Sequence, residues 1–203
     1  MQYLSLTRQT PPAVEPVTVA EAKSHLRVDT SDDDVYIGTL ITAAREWVES
    51  YVDRTLVNTQ WRLRLERFPT DSTYPIDLPR PPVVSSGTAT AVTITYTTET
   101  GGTATLSTAQ YRVQRFETPG RVTTLYGGTW PAGMEDNDAV VVTWWAGYGA
   151  TGSSVPAAIR HAMLMLVGYW YENRSTVLVG SISKPLEFAV ESLLSSQKWG
   201  SYQ

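Results

Sequence analysis

The hydrophobic and polar positions of this chain change period twice, which predicts helical ends around a β middle. Over residues 18–28, Thr18 and Glu21 stand at the spacing of a capping box behind the turn-forming Glu15-Pro16, and a short helix is expected. A longer helix is expected over 31–53. Asp32, Asp33 and Asp34 fill its first turn, where carboxylates face the positive end of the macrodipole. Ile37, Leu40, Ile41, Ala44, Trp47, Val48 and Tyr51 then recur at steps of three and four, which gathers them on one face.

From Thr59 the period becomes two. Trp61, Leu63 and Leu65 alternate with Arg62, Arg64 and Glu66, as on a half-buried strand. Val92, Ile94 and Tyr96 alternate with threonines ahead of a turn at Glu99-Thr100-Gly101-Gly102 and a return over 103–106, the pattern of a hairpin. Residues 111–116, the Pro119-Gly120 turn, 121–126 and 139–146 supply further strands, too closely spaced for anything but antiparallel connections. The run Leu78-Pro79-Arg80-Pro81-Pro82 lacks three amide donors, so it must follow an edge or form a connector.

A helical period returns at Val155-Pro156, with proline at a first-turn position. Residues 157–174 are apolar on almost every side, broken only by His161, Gly168 and Glu172. Such a helix is buried all round, and its neighbours within one chain look too few to cover it, which points to other copies. An apolar, almost chargeless loop follows over 175–183, then a last helix over 185–198 and an aromatic tail. The predicted fold class is α+β: two N-terminal and two C-terminal helices with an inserted antiparallel β module, divided at 1–58, 59–150 and 151–203.

Composition narrows the function classes. With 203 residues the chain can bury a core unaided. It has no cysteine, which excludes disulfides, thiolate metal sites and a cysteine nucleophile. A net charge of −4 and a pI near 5.2 argue against a protein that grips phosphates. No signal peptide or bilayer-length apolar run is visible, so a soluble, intracellular chain or assembly component is expected. Seven Trp and eleven Tyr against three Phe favour surfaces that are half apolar and half wet.

No constellation makes a persuasive catalytic, metal or cofactor site. Gly147-Tyr148-Gly149-Ala150-Thr151-Gly152 has the glycine spacing of a dinucleotide fingerprint and precedes a helix. The strands before it are hairpin-linked, however, and none follows the helix, so a flexible hinge is the better reading. His25 and His161 are the only imidazoles, and His161 is expected as a hydrogen-bonded core or interface residue. Arg54, Arg62, Arg64 and Arg67 form the one basic concentration, read as a solvated sheet face offset by Glu66. Trp47, Trp61 and Trp170 sit on apolar faces and look like core, whereas Trp130, Trp144, Trp145 and Trp199 are candidates for a protein interface.

The order of several segments resembles the tailed-phage head–tail connector (adaptor) family, in its long form with an inserted β module. The resemblance rests on Glu15-Pro16-Val17-Thr18, Ala20-Glu21-Ala22-Lys23, His25-Leu26-Arg27-Val28-Asp29, Leu78-Pro79-Arg80-Pro81-Pro82, Gly127-Gly128-Thr129-Trp130-Pro131, Val155-Pro156-Ala157-Ala158-Ile159-Arg160 and Trp170-Tyr171-Glu172-Asn173-Arg174. It implies a structural virion protein without catalysis or cofactor: a ring, commonly of twelve copies, docked beneath the portal protein, assembled in the host cytoplasm and resident in the virion neck. Its expected partners are the portal, neighbouring copies and a downstream neck or tail protein, with double-stranded DNA passing through the lumen and no membrane. The C-terminal segment is expected to reach the portal or a neighbouring subunit. The expected contact set is Trp170, Arg174, Val177, Leu178, Val179, Ile182, Phe188, Trp199 and Tyr202. Two other readings are a receptor- or carbohydrate-binding virion module using the aromatic-rich sheet, and a nucleotide-dependent enzyme at the 147–152 loop.

Overall fold

The structure is a computed structural model and describes residues 3–72, 74–84, 92–116, 118–133, 138–174 and 184–198. It is α+β with antiparallel sheets, as the two periods predict. The chain forms two compact units. One is helical and comprises Pro12–Val57 and Tyr148–Gln203; the other is a β unit of Met1–Pro11 and Asn58–Gly147.

The helical unit holds α1 (Val19–Leu26), α2 (Asp34–Val52), α3 (Ala157–Glu172) and α4 (Lys184–Leu194). The capping box at the start of α1 is formed. The Glu21 amide donates to Thr18 Oγ1 at 3.2 Å, and the Glu21 carboxylate accepts from the Thr18 amide at 2.8 Å. This satisfies two amides that the helix itself cannot. The Thr18 amide, ahead of the Thr18 hydroxyl and Arg160, holds the Glu21 carboxyl below the usual glutamate range. The core joins Ile37, Leu40, Ile41, Ala44 and Val48 of α2 to Ile159, Met163, Leu166 and Trp170 of α3, with Val190 and Leu194 of α4.

The expected shortage of cover for α3 is corrected here. Helices α1, α2 and α4 all pack on α3. Leu164, Met165, Tyr169 and Tyr171 are half-buried against the same core, and none of the exposed large hydrophobic side chains among the described residues lies on α3. A helix apolar all round needs neighbours on every side, and this chain supplies them itself. Of the two places expected for His161, the core is corrected: the residue is exposed, and its ring meets that of His25 edge to face at 6.4 Å.

The β unit contains β1 (Tyr3–Thr10), β2 (Thr59–Leu65), β3 (Ile76–Leu78), β4 (Thr93–Thr97), β5 (Thr103–Thr105), β6 (Tyr111–Gln114), β7 (Gly120–Thr124) and β8 (Val140–Ala146). One sheet has the order β1-β2-β8-β4-β5 and the other β3-β7-β6. Strands β2 and β8 pair from Thr59↔Ala146 to Leu65↔Val140, and alternate residues of each are buried. The proline run at 79–82 follows β3 outside any strand, as its missing donors require.

Strand β1 is not announced by the pattern. Only Leu4 and Leu6 alternate as apolar residues; the next position on that side is Arg8, whose guanidinium lies 5.4 Å from the Trp61 ring centre. A cation over an aromatic face replaces the apolar side chain that a period of two would seek. Two tryptophans assigned to an interface are interior. Trp144 is fully buried, and Trp130, 9% exposed, stacks on Phe68 at 5.3 Å. Trp145 is half-buried, and Trp199 lies outside the described residues. Trp61 and Trp170 are core as expected, whereas Trp47 is half-buried and stacks on Tyr51 at 5.4 Å.

Candidate partner-binding surfaces

Of the expected contact residues, Val177, Leu178, Val179, Ile182, Trp199 and Tyr202 lie outside the described residues. Trp170 is 3% exposed in the helical core and is closed to a partner, so its place in the contact set is corrected. Phe188 is 76% exposed on α4 and available for contact. Arg174 is exposed, and its guanidinium is engaged within the chain.

That engagement builds a clasp between the start of α2 and the end of α3. Arg174 Nη2 donates to Asp33 Oδ2 at 2.6 Å, and the Tyr171 hydroxyl donates to the same oxygen at 2.5 Å. The guanidinium also lies 4.4 Å from the Tyr171 ring centre and 4.8 Å from that of Tyr36. Asp33 is the N-cap of α2 but makes no capping hydrogen bond with its side chain. Asp34 pairs instead with Lys23 of α1 at 2.8 Å. Two of the three aspartates read as macrodipole partners thus tie helices together, and the clasp fixes where the chain leaves α3 for its C-terminal segment.

The clasp carries a pH signature. Hydrogen bonds from Arg174 and then Tyr171 hold the Asp33 carboxyl below the usual 3.8, and the bond to Asp33 holds the Tyr171 hydroxyl above its usual 10.0. A carboxylate whose pKa is depressed on folding stabilises the fold above its unfolded value and loses that contribution as pH falls through the folded value. The stability gap between the wild-type chain and Asp33→Asn is therefore expected to be full at neutral pH and to close below about pH 3.8. Thermal melts of both proteins across the acid range measure it, and a gap independent of pH contradicts the assignment.

The glycine-rich loop has no dinucleotide geometry. It follows β8 of an antiparallel sheet, and α3 begins only at Ala157. Gly147, at φ +139°, takes a backbone angle that other residues rarely adopt. Gly152 is needed for close approach: a Cβ there would lie 2.6 Å from the Pro16 carbonyl oxygen and 2.7 Å from that of Glu15. Among the described residues no His, Asp and Glu side chains gather as metal ligands, and no helix is long and apolar enough to cross a membrane.

The basic concentration is dispersed. Arg64 pairs with Asp138 at 2.6 Å rather than Glu66, and Arg54 belongs to the helical unit, where it donates to the Gln197 carbonyl at 2.6 Å. The exposed aromatics lie elsewhere. Tyr74, Phe116 and Tyr126 are 66%, 100% and 107% exposed on loops of the β unit. The pattern places Phe116 in a strand, but β6 ends at Gln114 and leaves it in the turn. The Thr118-Pro119-Gly120 breaker just after it was the available signal.

Residues 16–80 match the profile of the family described as "Phage gp6-like head-tail connector protein". This bears out the family resemblance over α1, α2, β2 and β3. No curated protein matches significantly. Among solved structures, the chain is similar to one in the virion of a native gene transfer agent (GTA) particle, at TM-score 0.76 and 22% identity over 96% of this chain and 95% of that one. A chain in the neck of an empty GTA particle computed with C6 symmetry matches at TM-score 0.74, with the same identity and coverage. A chain in the neck of a native GTA particle computed with C12 symmetry matches at TM-score 0.66 and 22% identity, over 98% of this chain and 95% of that one. The fold is thus shared with these proteins across both units.

Proposed function

We propose that this chain, whose residues 16–80 carry the gp6-like head–tail connector segment, is a structural neck protein of a tailed particle. Copies form a ring beneath the portal, extend the DNA channel and offer a platform to the next neck or tail protein. The observation that carries this reading is the likeness to neck chains over 96% of the residues, with the connector segment inside it. Ring closure needs a heterologous interface whose rotation returns to its start. A net charge of −4 suits a channel through which DNA slides, since repelled phosphates do not stick. The chain assembles in the host cytoplasm, resides in the neck, and requires no catalytic group.

Since α3 is covered within the chain, the exposed large apolar side chains available for assembly among the described residues are Leu4, Tyr74, Phe116 and Tyr126 on the β unit and Val14, Val35 and Phe188 on the helical unit. The test is structural and genetic. Particles made without this chain are expected to package DNA but carry no tails, and purified chain mixed with its portal is expected to add a ring of density by electron microscopy. Tailed particles without the chain, together with no added ring, overturn the reading.

A further inference from the structure

The two faces of the five-stranded sheet differ in kind. On one, Trp61, Leu63, Ile94 and Val142 form a single core with Ile76 and Val122 of the three-stranded sheet. Side chains alternate along a strand, so the residues between these make the other face. Register gives its rows. One reads Thr7, Arg62, Thr143 and Thr93 across β1, β2, β8 and β4, and the next includes Arg64, Thr95 and Thr105. All of them are half-buried or exposed. Strand β8 adds Val141 and Trp145, and no strand position of this face holds Asp or Glu. In a chain with 20 Asp and Glu against 16 Lys and Arg, a sheet face free of carboxylates stands apart.

Arg62 is the group that the fold leaves unused. Arg64 pairs through Nη1 with Asp138 at 2.6 Å, whereas Arg62 makes no ion pair among the described residues, and its buried Nε has no acceptor there. Thr7 and Thr143 flank it in register. The Thr143 hydroxyl donates to the Thr93 carbonyl at 3.4 Å, while Thr7 is exposed. A guanidinium among hydroxyls, with no anion of its own, is a set of donors matched to acceptor oxygens from outside the chain. Arginine, threonine and serine are among the residues that contact DNA phosphates, and the guanidinium fork fits phosphate geometry. Hot spots between proteins, by contrast, are poor in threonine and serine.

We infer that this threonine-lined face is the part of the channel wall that meets the phosphate backbone of double-stranded DNA. This rests on the ring proposed above. The net charge of −4 repels phosphates at a distance, and this face alone among the sheet surfaces offers them short-range donors without a carboxylate beside them. Neutral hydroxyls and one unpaired guanidinium per copy give contact without a firm hold. Contacts of this kind touch phosphates rather than bases, so they are indifferent to sequence and let a duplex slide.

The test places a photocrosslinking residue on the face. Thr7 and Thr105 are exposed on the edge strands β1 and β5, so Thr7→p-benzoylphenylalanine and Thr105→p-benzoylphenylalanine leave the core untouched. In irradiated, DNA-filled particles both are expected to give DNA adducts, and Phe188→p-benzoylphenylalanine on α4 is expected to give none. Adding Arg62→Glu to the Thr105 variant is expected to lower the DNA adduct yield roughly threefold or more while rings still form. Rings seen by electron microscopy with no DNA adducts from Thr7 and Thr105, or with adducts to protein in their place, overturn this face as the wall and leave the ring reading standing. Equal DNA yields from Phe188 and the two threonine positions overturn it as well. Absence of any ring from the wild-type chain overturns both.

Discussion

Replacing Arg45 with methionine is expected to cost the helical unit about 3–5 kcal/mol, because it strands a buried carboxylate. Arg45 is 4% exposed and Glu49 6%, and Arg45 Nη1 donates to Glu49 Oε2 at 3.0 Å. Its Nε donates to Glu15 at 2.8 Å, and the Thr42 hydroxyl donates to the other oxygen of that carboxylate. The second oxygen of Glu49 accepts the Leu56 amide at 3.0 Å. One guanidinium thus joins the segment before α1, the middle of α2 and the turn after α2. Burial works against its charge, but Glu15 and Glu49 outweigh this and raise its pKa above the usual arginine value. Most of the expected loss comes from the unpaired charge left behind rather than from the hydrogen bonds removed. The double variant Arg45→Met with Glu49→Gln removes both charges and keeps an acceptor for the Leu56 amide, so it is expected to recover most of the loss. Urea titrations followed by helical ellipticity measure all three proteins. A single variant within about 1 kcal/mol of wild type, or a double variant no better than the single, contradicts this account.

What was legible in the sequence was whatever local physics decides. Thr18 and Glu21 stand three residues apart and cap α1, and the alternation of Trp61, Leu63 and Leu65 becomes β2 with those residues inside. Distant partners decided the rest. Asp33 has the composition of a helix-start acid, yet its partner Arg174 is 141 residues away and no local pattern connects them. Strand β1 pairs with β2, 50 or more residues away, and places Arg8 over the face of Trp61 where an apolar residue would be sought. For α3, periodicity correctly requires cover on every side, but it does not reveal whether that cover comes from the same chain. The two adjacent tryptophans of β8 mark the same limit. Trp144 and Trp145 must face opposite ways, and reading inward from Val140 and Val142 would have assigned Trp144 to the core. Of the candidate site, Phe188 is exposed on α4, while most of the other expected contacts lie outside the described residues.

Trp144→Ala is expected to destabilise the β unit by about 3–5 kcal/mol, the range for emptying a large aromatic site in a packed core. Trp144 is fully buried on β8, which pairs with β2 on one side and β4 on the other, and it stands opposite Trp61 in the register. Neighbours held by two ladders cannot collapse far into the space an indole leaves, so most of the cavity persists. Its buried indole N–H has no acceptor among the described residues, so truncation forfeits packing rather than a hydrogen bond. That distinction separates two substitutions. Trp144→Phe keeps most of the apolar volume and removes a buried donor whose desolvation costs about 1–3 kcal/mol, so it is expected to lose less than half as much stability as alanine. Because Trp144 shares the buried face of β8 with Val140, and both belong to the core that includes Trp130, alanine is also expected to raise amide exchange at Val140 and around Trp130, while phenylalanine leaves it near wild type. An alanine variant that melts with the wild-type protein would mean the sheet closes over the gap, and phenylalanine as damaging as alanine would mean the indole N–H has an acceptor after all.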